Sequence, residues 1–125
     1  AKRAAELAKD FKCDCRPWDE RNQLEADIVI NGTSIGMWPN DDESPLDPSA
    51  ITPGMIVFDT VYNPLETKLL RLAGDAKAKT VDGLSMLVYQ AYEQIEFWTD
   101  NKFNVHDCIQ TMRNVALESL KDKKA

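Results

Sequence analysis

Apolar runs that alternate with amphipathic segments constrain the fold of this 125-residue chain more than any other feature. ADIVING at residues 26–32 and MIVFDTVY at 55–62 are apolar enough to be buried strands of a parallel sheet. AKTVDG at 78–83 predicts a third strand. Helices are predicted for PLETKLLRLAG at 64–74, with proline at its start and glycine after its end, and for residues 84–99. This alternation predicts an α/β fold: a Rossmann-like three-layer arrangement around an open parallel sheet with right-handed crossovers.

The remaining segments add two helices, a short strand and two connections. AKRAAELAKDF at residues 1–11 has helical spacing, and FKCDC at 11–15 then predicts a short strand. Residues 18–24 predict a polar connection or a single helical turn, and the four prolines of residues 38–54 predict an excursion loop. Residues 104–120 predict a last helix with one apolar stripe. The stripe consists of Val105, Cys108, Ile109, Met112, Val115, Ala116 and Leu120.

Composition argues against several classes of protein. The formal net charge of -6 disfavours a nucleic-acid binder, because neutralising phosphates requires clustered Lys and Arg. No apolar run approaches the roughly 20 residues that span a bilayer, and the first residues lack a signal-peptide core. We therefore predict no membrane association and a cytoplasmic location. Cys13, Cys15 and Cys108, even taken with His106, lack the usual paired spacing of zinc ligands, so we predict reduced thiols and no metal.

The stretch VDGLSMLVYQ, residues 81–90, predicts a short strand that leads into a helix with two different faces. One face is apolar at helical spacing and predicts packing on the sheet: Leu84, Leu87, Val88, Ala91, Ile95 and Trp98. The other face carries Gly83, Met86 and Gln90, followed by Phe97. Bare backbone, a soft thioether and one amide together favour a ligand surface, although an ordinary solvent-exposed stripe also accounts for them.

Polar segments follow all three predicted strands, at the sheet edge where ligands of open α/β sheets bind. In NGTSIGM, glycines bracket the hydroxyls of Thr33 and Ser34, which suits a ligand loop or an ordinary tight turn. In DTVYNP, Tyr62 lies just past the strand, which suits a polar substrate or simple packing.

Candidates for acid–base catalysis are weak. Asp59 and Asp82 both lie near predicted strand ends, but each directly precedes a turn, so we favour turn and helix-capping roles. His106, the only histidine, lies on the last predicted helix, far from the strand ends. We therefore predict an exposed or interface histidine and no general base in this chain.

Taken together, four strings resemble one family, the shikimate dehydrogenases. They are ADIVINGTSIGM, the Pro53–Gly54 pair, VFDTVYNPLETKLLRLA and TVDGLSMLVYQAYEQIEFW, which cover residues 26–98 in the family's order. AKRAAELA is similar to the helix that follows the family's adenosine-phosphate loop. The resemblance implies a Rossmann-type nucleotide domain and the NADP-dependent reduction of 3-dehydroshikimate to shikimate, a step in aromatic amino acid biosynthesis.

The resemblance also implies roles for individual residues. Tyr62 and Gln90 match positions that contact the hydroxyls and carboxylate of shikimate. The cofactor-side matches are Thr60, Gly83 (through its backbone) and Met86 beside the nicotinamide, Thr33, Ser34 and Met37 in a turn, and Arg3 near the 2′-phosphate of NADP. A guanidinium there would form charge-assisted bonds to phosphate. No residue matches the family's catalytic lysine and aspartate, so no catalytic residue is predicted.

The resemblance finally implies a division of the chain. Residues 1–99 correspond to a truncated Rossmann-type NADP-binding domain, and residues 100–125 to a C-terminal helix that packs toward a substrate domain. The family's glycine-rich loop and substrate domain would precede residue 1, so we expect this chain alone to be inactive and to form dimers or higher oligomers. Two alternatives stay open: a quinate/shikimate dehydrogenase that uses NAD, and a non-catalytic α/β binding module.

Overall fold

The computed structural model describes residues 2–23, 25–100 and 104–122. In chain order the regular elements are helix α1 (Lys2–Phe11), a 3₁₀ helix (Trp18–Gln23), strand β1 (Ile28–Asn31), a 3₁₀ turn (Pro48–Ala50), β2 (Ile56–Asp59), α2 (Lys68–Asp75), β3 (Lys79–Val81), α3 (Gly83–Thr99) and α4 (Val105–Asp122). The turn predicted at residues 18–24 is therefore present, and its last residue, Leu24, lies outside the described residues.

The three strands form one parallel sheet in the order β1, β2, β3. In the register of the first pair, Ile28 lies opposite Ile56 and Asn31 lies opposite Asp59. β1 and β2 consequently end side by side, which brings their following loops together. The α/β class and parallel sheet predicted from the sequence are confirmed.

The central core lies between the sheet and α2. Its buried members are Ile51, Met55, Val57, Leu69, Leu70 and Ala73. Leu69 and Val57 are both fully buried, and burying such a side chain contributes about 1.5–3 kcal/mol. The helical spacing of apolar residues in α2 thus fixes its position over β2 and β3.

The prediction that ADIVING is a fully buried strand is wrong for one face of β1. Ile28 is 57% exposed and Ile30 is 61% exposed, whereas Asn31 is buried. Successive side chains point to opposite faces of a sheet. Within the described residues β1 pairs only with β2, and the face that carries Ile28 and Ile30 is left largely uncovered.

The strand predicted at FKCDC is also wrong. Helix α1 extends to Phe11 and is ended by Lys12, whose φ of +53° lies in the left-handed region. The amide of Cys13 then donates to the carbonyl of Ala8 over 2.9 Å, as in a helix C-cap. Cys13 and Cys15 lie in the irregular segment that follows, and both are exposed.

Helix α2 begins and ends differently from the prediction. It starts at Lys68, because the side chain of Thr67 accepts a hydrogen bond from the Leu70 amide and caps the first turn. Pro64 therefore lies before the helix and Gly74 lies within its last turn.

Helix α3 is confirmed, but its buried face differs from the predicted one. Gly83, Leu84, Val88 and Tyr92 are buried, whereas Trp98 is 73% exposed and Leu87 is half-exposed. A helix of 17 residues is roughly 25 Å long, but a strand of four residues is only roughly 13 Å long. The last turns of α3 therefore extend beyond this sheet.

Helix α4 packs against α3, a neighbour that the sequence did not indicate. It starts at Val105, one residue later than predicted, and the side chain of Asn104 accepts hydrogen bonds from the amides of His106 and Asp107. The predicted apolar stripe is only partly covered, since Val105 and Val115 remain exposed. His106 is exposed, as predicted. Among the described residues, no helix is long and apolar enough to cross a membrane.

Candidate functional site

The candidate site lies where the loop after β1, residues 32–38, meets the loop after β2, residues 60–67. The two loops are joined by backbone contacts at both ends. The amide of Thr60 donates to the Asn31 carbonyl over 3.0 Å, and the amide of Trp38 donates to the Asn63 carbonyl over 2.9 Å. These bonds follow from the matched ends of the two parallel strands.

A groove of about 410 Å³ opens between these loops. Five of the residues predicted from the sequence line it: Thr33, Ser34, Met37, Thr60 and Tyr62. The rest of the lining is Gly32, Trp38, Val61, Asn63 and Leu120 of α4. Tyr62 and Met37 are 43% and 46% exposed, so both side chains are accessible from the groove.

The other predicted site residues lie outside this lining. Gly83 begins α3 directly beneath the second loop: a Cβ atom on Gly83 would lie 2.6 Å from the Val61 carbonyl oxygen. Met86 and Gln90 follow on α3 with exposed side chains. Arg3 is exposed on α1 and is not part of the groove lining.

The threonine hydroxyls of the two loops serve the loops themselves. Thr33 Oγ1 donates to the Asn31 side-chain oxygen over 2.7 Å and accepts from the Ile35 amide over 3.2 Å. Thr60 Oγ1 donates to the Asn31 backbone carbonyl over 2.8 Å. Gly36 has a φ of +86°, which favours glycine in the turn. The tight-turn interpretation of NGTSIGM is confirmed. The ligand-loop interpretation stays a prediction, and the turn lines the groove.

The predicted capping and turn roles of the two aspartates are confirmed. Asp82 caps α3, since its side chain accepts from the Ser85 amide over 2.7 Å. Arg113 of α4 lies 3.3 Å from the same carboxylate and also donates to the Ser85 hydroxyl over 2.9 Å. Burial raises the pKa of Asp82, but the bonds from Ser85 and Arg113 outweigh burial and lower the pKa overall. Asp59 accepts from the Val61 amide at the turn into the second loop.

Sequence reasoning assigned no site role to the other five lining residues, nor to Asn31 and Arg113, which lie outside the lining and bond to residues in or beside it. Asn31, the first residue of NGTSIGM, has no predicted role, although an amide side chain at the end of an apolar strand indicates a buried polar contact. Leu120 and Arg113 come from α4, and no spacing along the chain indicates which surface that helix contacts.

A second groove of about 260 Å³ lies along the exposed face of β1. Its walls are mostly apolar, with Trp18, Ile28, Ile30 and Leu46 prominent, and Arg21 lies 4.6 Å above the Trp18 ring. Of the predicted site residues it includes only Thr33. The groove between the two loops is the better candidate because it gathers five of them. In the described parts of the chain, no group of three His, Cys, Asp or Glu side chains is placed to hold a metal ion.

Comparison with known proteins gives consistent matches. The family model described as the shikimate 5′-dehydrogenase C-terminal domain matches residues 83–116. A shikimate dehydrogenase (NADP(+)) from Methanosarcina acetivorans is 41% identical over 127 aligned positions, which cover 94% of this chain and 44% of that protein. A quinate/shikimate dehydrogenase from Shigella flexneri is 46% identical over 88 positions, covering 70% of this chain and 35% of that protein.

The fold gives a similar match among solved structures. The shikimate 5-dehydrogenase of Thermus thermophilus, solved with NADP(H) and shikimate, superposes with a TM-score of 0.77 at 27% identity. The match covers 92% of this chain and 42% of that one. The chain thus spans less than half the length of these similar proteins.

Proposed function

The chain belongs to the shikimate dehydrogenase family, of which it matches the C-terminal part, and we propose that the whole protein carrying it is an NADP-dependent shikimate dehydrogenase. In that reaction NADPH supplies a hydride to the carbonyl carbon of 3-dehydroshikimate, and a proton completes the hydroxyl of shikimate. The observation that carries the proposal is the groove in which polar segments from two strand ends meet. That position is where open α/β sheets bind ligands.

The residues of this chain would bind and orient both ligands. Tyr62 and Gln90 present a hydroxyl and an amide, which suit the hydroxyls and carboxylate of the substrate. Groups on the cofactor side would be Thr33, Ser34, Met37, Thr60, Gly83 and Met86. The thioethers of Met37 and Met86 and the small residues beside them would suit a flat nicotinamide ring. Arg3 would reach the 2′-phosphate, although it lies on α1 and outside the groove lining.

No residue of this chain is proposed to transfer the proton. General acid–base catalysis requires a titratable group within about 3 Å of the reacting oxygen. The residues lining the groove include no Asp, Glu, His or Lys, and their one titratable side chain, Tyr62, is assigned to substrate binding. Because the matched relatives are more than twice as long, we propose that residues 1–99 are part of a nucleotide-binding domain and that the catalytic groups lie in another domain. The cytoplasmic location also stays a prediction.

One assay on the full-length protein tests this function and its nearest alternative. Shikimate and quinate would each be supplied with NADP and with NAD, and reduction of the cofactor would be followed by absorbance. We expect the highest kcat/KM for shikimate with NADP. The Shigella relative gives a specific reason to include quinate and NAD. Activity with none of the four pairs would favour a non-catalytic binding module.

Gln90→Ala in the full-length protein tests the substrate contact. A site that hydrogen-bonds a polar substrate loses affinity when the partner amide is removed, so we expect kcat/KM for shikimate to fall by about tenfold or more. Gln94→Ala is a matched control, because it removes an exposed amide one turn further along α3. Equal kinetics for the two variants would contradict the role of Gln90.

We also propose that the isolated 125-residue chain self-associates. Phe97 is 86% exposed, Phe11 is 77% exposed, and the exposed Ile28 and Ile30 add a further apolar surface. Patches of this kind favour association in water. Light scattering at several protein concentrations should show dimers or larger species. A constant monomer mass over that range would reject the proposal.

A further inference from the structure

Three polar side chains are buried at the base of the candidate site, and none of them lies in the proposed ligand contacts. They are Asn31 (4% exposed), Asp59 (0%) and Thr67 (0%), named here the buried polar cluster. Burying an amide and a carboxylate costs free energy unless every polar atom is paired. Among the described residues no buried side-chain nitrogen or oxygen lacks a partner. Every polar side-chain atom of the cluster is thus hydrogen-bonded, and the partners of these bonds indicate what the cluster does.

Asn31 contacts both loops of the candidate site, named here the first ligand loop (residues 32–38) and the second ligand loop (residues 60–67). Its side-chain oxygen accepts from the Thr33 amide over 3.0 Å and from the Thr33 hydroxyl over 2.7 Å. Its backbone carbonyl accepts from the amide and hydroxyl of Thr60 over 3.0 and 2.8 Å. Its side-chain nitrogen donates to Asp59 Oδ1 over 3.0 Å. One residue therefore fixes a position in the first loop and a position in the second.

Asp59 and Thr67 extend the same set of bonds to the rest of the second loop. Asp59 Oδ1 accepts from the Val61 amide over 3.0 Å, immediately before Tyr62. Asp59 Oδ2 accepts from the Thr67 hydroxyl over 2.6 Å, and Thr67 Oγ1 accepts from the Leu70 amide at the start of α2. The second loop is consequently held at its beginning by Asp59 and at its end by Thr67.

An apolar group of the same shape often stabilises a core as well as a buried polar pair does. The cluster occurs at the two strand ends that carry the proposed ligand contacts, and its bonds end on loop atoms. This placement favours positioning of the loops over bulk stability, because preorganised sites depend on such supporting bonds.

We propose that Asn31 is a positioning residue, which sets the first ligand loop relative to the second through Asp59 and Thr67 without touching either ligand. The inference rests on the proposed function, since it concerns the placement of the cofactor-side loop against the substrate-side Tyr62. Each loop keeps its own contact groups when the link is broken. Hydride transfer, by contrast, depends steeply on the distance and angle between the two ligands.

Four variants of the full-length protein test the proposal. Asn31→Ala removes the side-chain bonds to Thr33 and Asp59 and leaves the backbone bonds from Thr60 in place. Thr67→Val keeps the shape of the side chain but loses the hydroxyl, and Thr67→Ser restores the hydroxyl. Ser44→Ala is the control, because Ser44 Oγ donates to the Leu46 carbonyl over 2.8 Å in a loop outside the groove lining. Urea unfolding of each variant gives the folded fraction by which the rates are corrected.

We expect Thr67→Val to lower kcat by about tenfold and to change each KM by less than about threefold. Thr67→Ser should restore kcat to within about twofold, Asn31→Ala should lower it at least as far as Thr67→Val, and Ser44→Ala should lower stability alone. A purely structural role would move the folded fraction and leave the corrected kcat unchanged. Unchanged corrected rates in both Asn31→Ala and Thr67→Val would overturn the proposal.

Hydrogen exchange on the full-length protein separates this inference from the proposed function. In Thr67→Val, the amides of Val61 and Thr33 should exchange about tenfold faster relative to the core amide of Val57. Equal acceleration of all three amides, or of none, would overturn the coupling whatever the activity. Absence of dehydrogenase activity in the unmodified full-length protein would reject the proposed function and leave the exchange result to decide the coupling.

Discussion

Replacing Gly83 by alanine is expected to lower the free energy of unfolding by about 3 kcal/mol and to displace the loop that carries Tyr62. The added Cβ atom would lie 2.6 Å from both the Thr60 carbonyl carbon and the Val61 carbonyl oxygen. These are backbone atoms, held by the bonds of Thr60 and Val61 to the buried polar cluster, so they have little freedom to move away. We therefore expect the overlap between the Cβ atom and the backbone to be relieved by movement of α3 away from the second loop.

Gly74→Ala is the matched control for Gly83→Ala. Gly74 lies within α2, and a Cβ atom there would meet no atom within 4 Å. We expect that variant to be more stable by about 0.5–1 kcal/mol, because alanine loses less backbone entropy in a helix. Urea unfolding of both variants measures the difference. A stability loss below about 1 kcal/mol for Gly83→Ala would show that the contact relaxes easily.

Asp59→Ala is expected to destabilise the fold by about 3–5 kcal/mol. The fully buried carboxylate accepts from the Asn31 side-chain nitrogen, the Val61 amide and the Thr67 hydroxyl, and the substitution leaves all three donors without it. Each unsatisfied buried donor costs about 1–3 kcal/mol. The midpoint of urea unfolding should fall accordingly.

Asp82→Ala provides the comparison for Asp59→Ala. Asp82 is a partly exposed cap, and loss of a helix cap costs about 1 kcal/mol. A smaller loss for Asp59→Ala than for Asp82→Ala would indicate that water enters the site and replaces the carboxylate. It would also indicate that the buried polar cluster does not hold the two loops rigidly.

The sequence was sufficient for the parts of this fold that depend on local pattern. Strand and helix periodicity predicted β1, β2, β3 and α3, and turn chemistry predicted that Asp82 caps α3. Polar segments after the strands predicted Thr33, Ser34 and Tyr62, and the family resemblance implied Met37 and Thr60; all five line one groove. These predictions are correct because the parallel register of a sheet brings the strand ends together, whatever the details of packing.

Other features depend on contacts between distant segments, and the sequence did not reveal them. β1 was predicted to be buried on both faces because its side chains are apolar, but apolar character alone does not say whether a neighbour covers each face. Trp98 has the correct spacing for the core face of α3 and is nevertheless exposed, since the helix extends past the short strands. The approach of Leu120 to the groove depends on the path of α4, which has no local signature.

The position of Asn31 opposite Asp59 also selects how the first two strands align. Ile28, Val29 and Ile30 and their partners are all apolar, and Ile28 and Ile30 are exposed, so apolar burial alone distinguishes poorly between neighbouring alignments. A slip of one residue would move Asn31 by about 3.3 Å along the strand and invert the face of its side chain. The 3.0 Å bond to Asp59 would be lost, and a buried amide and carboxylate would both need new partners. The polar pair therefore acts against mispaired strands during folding, long before any ligand arrives.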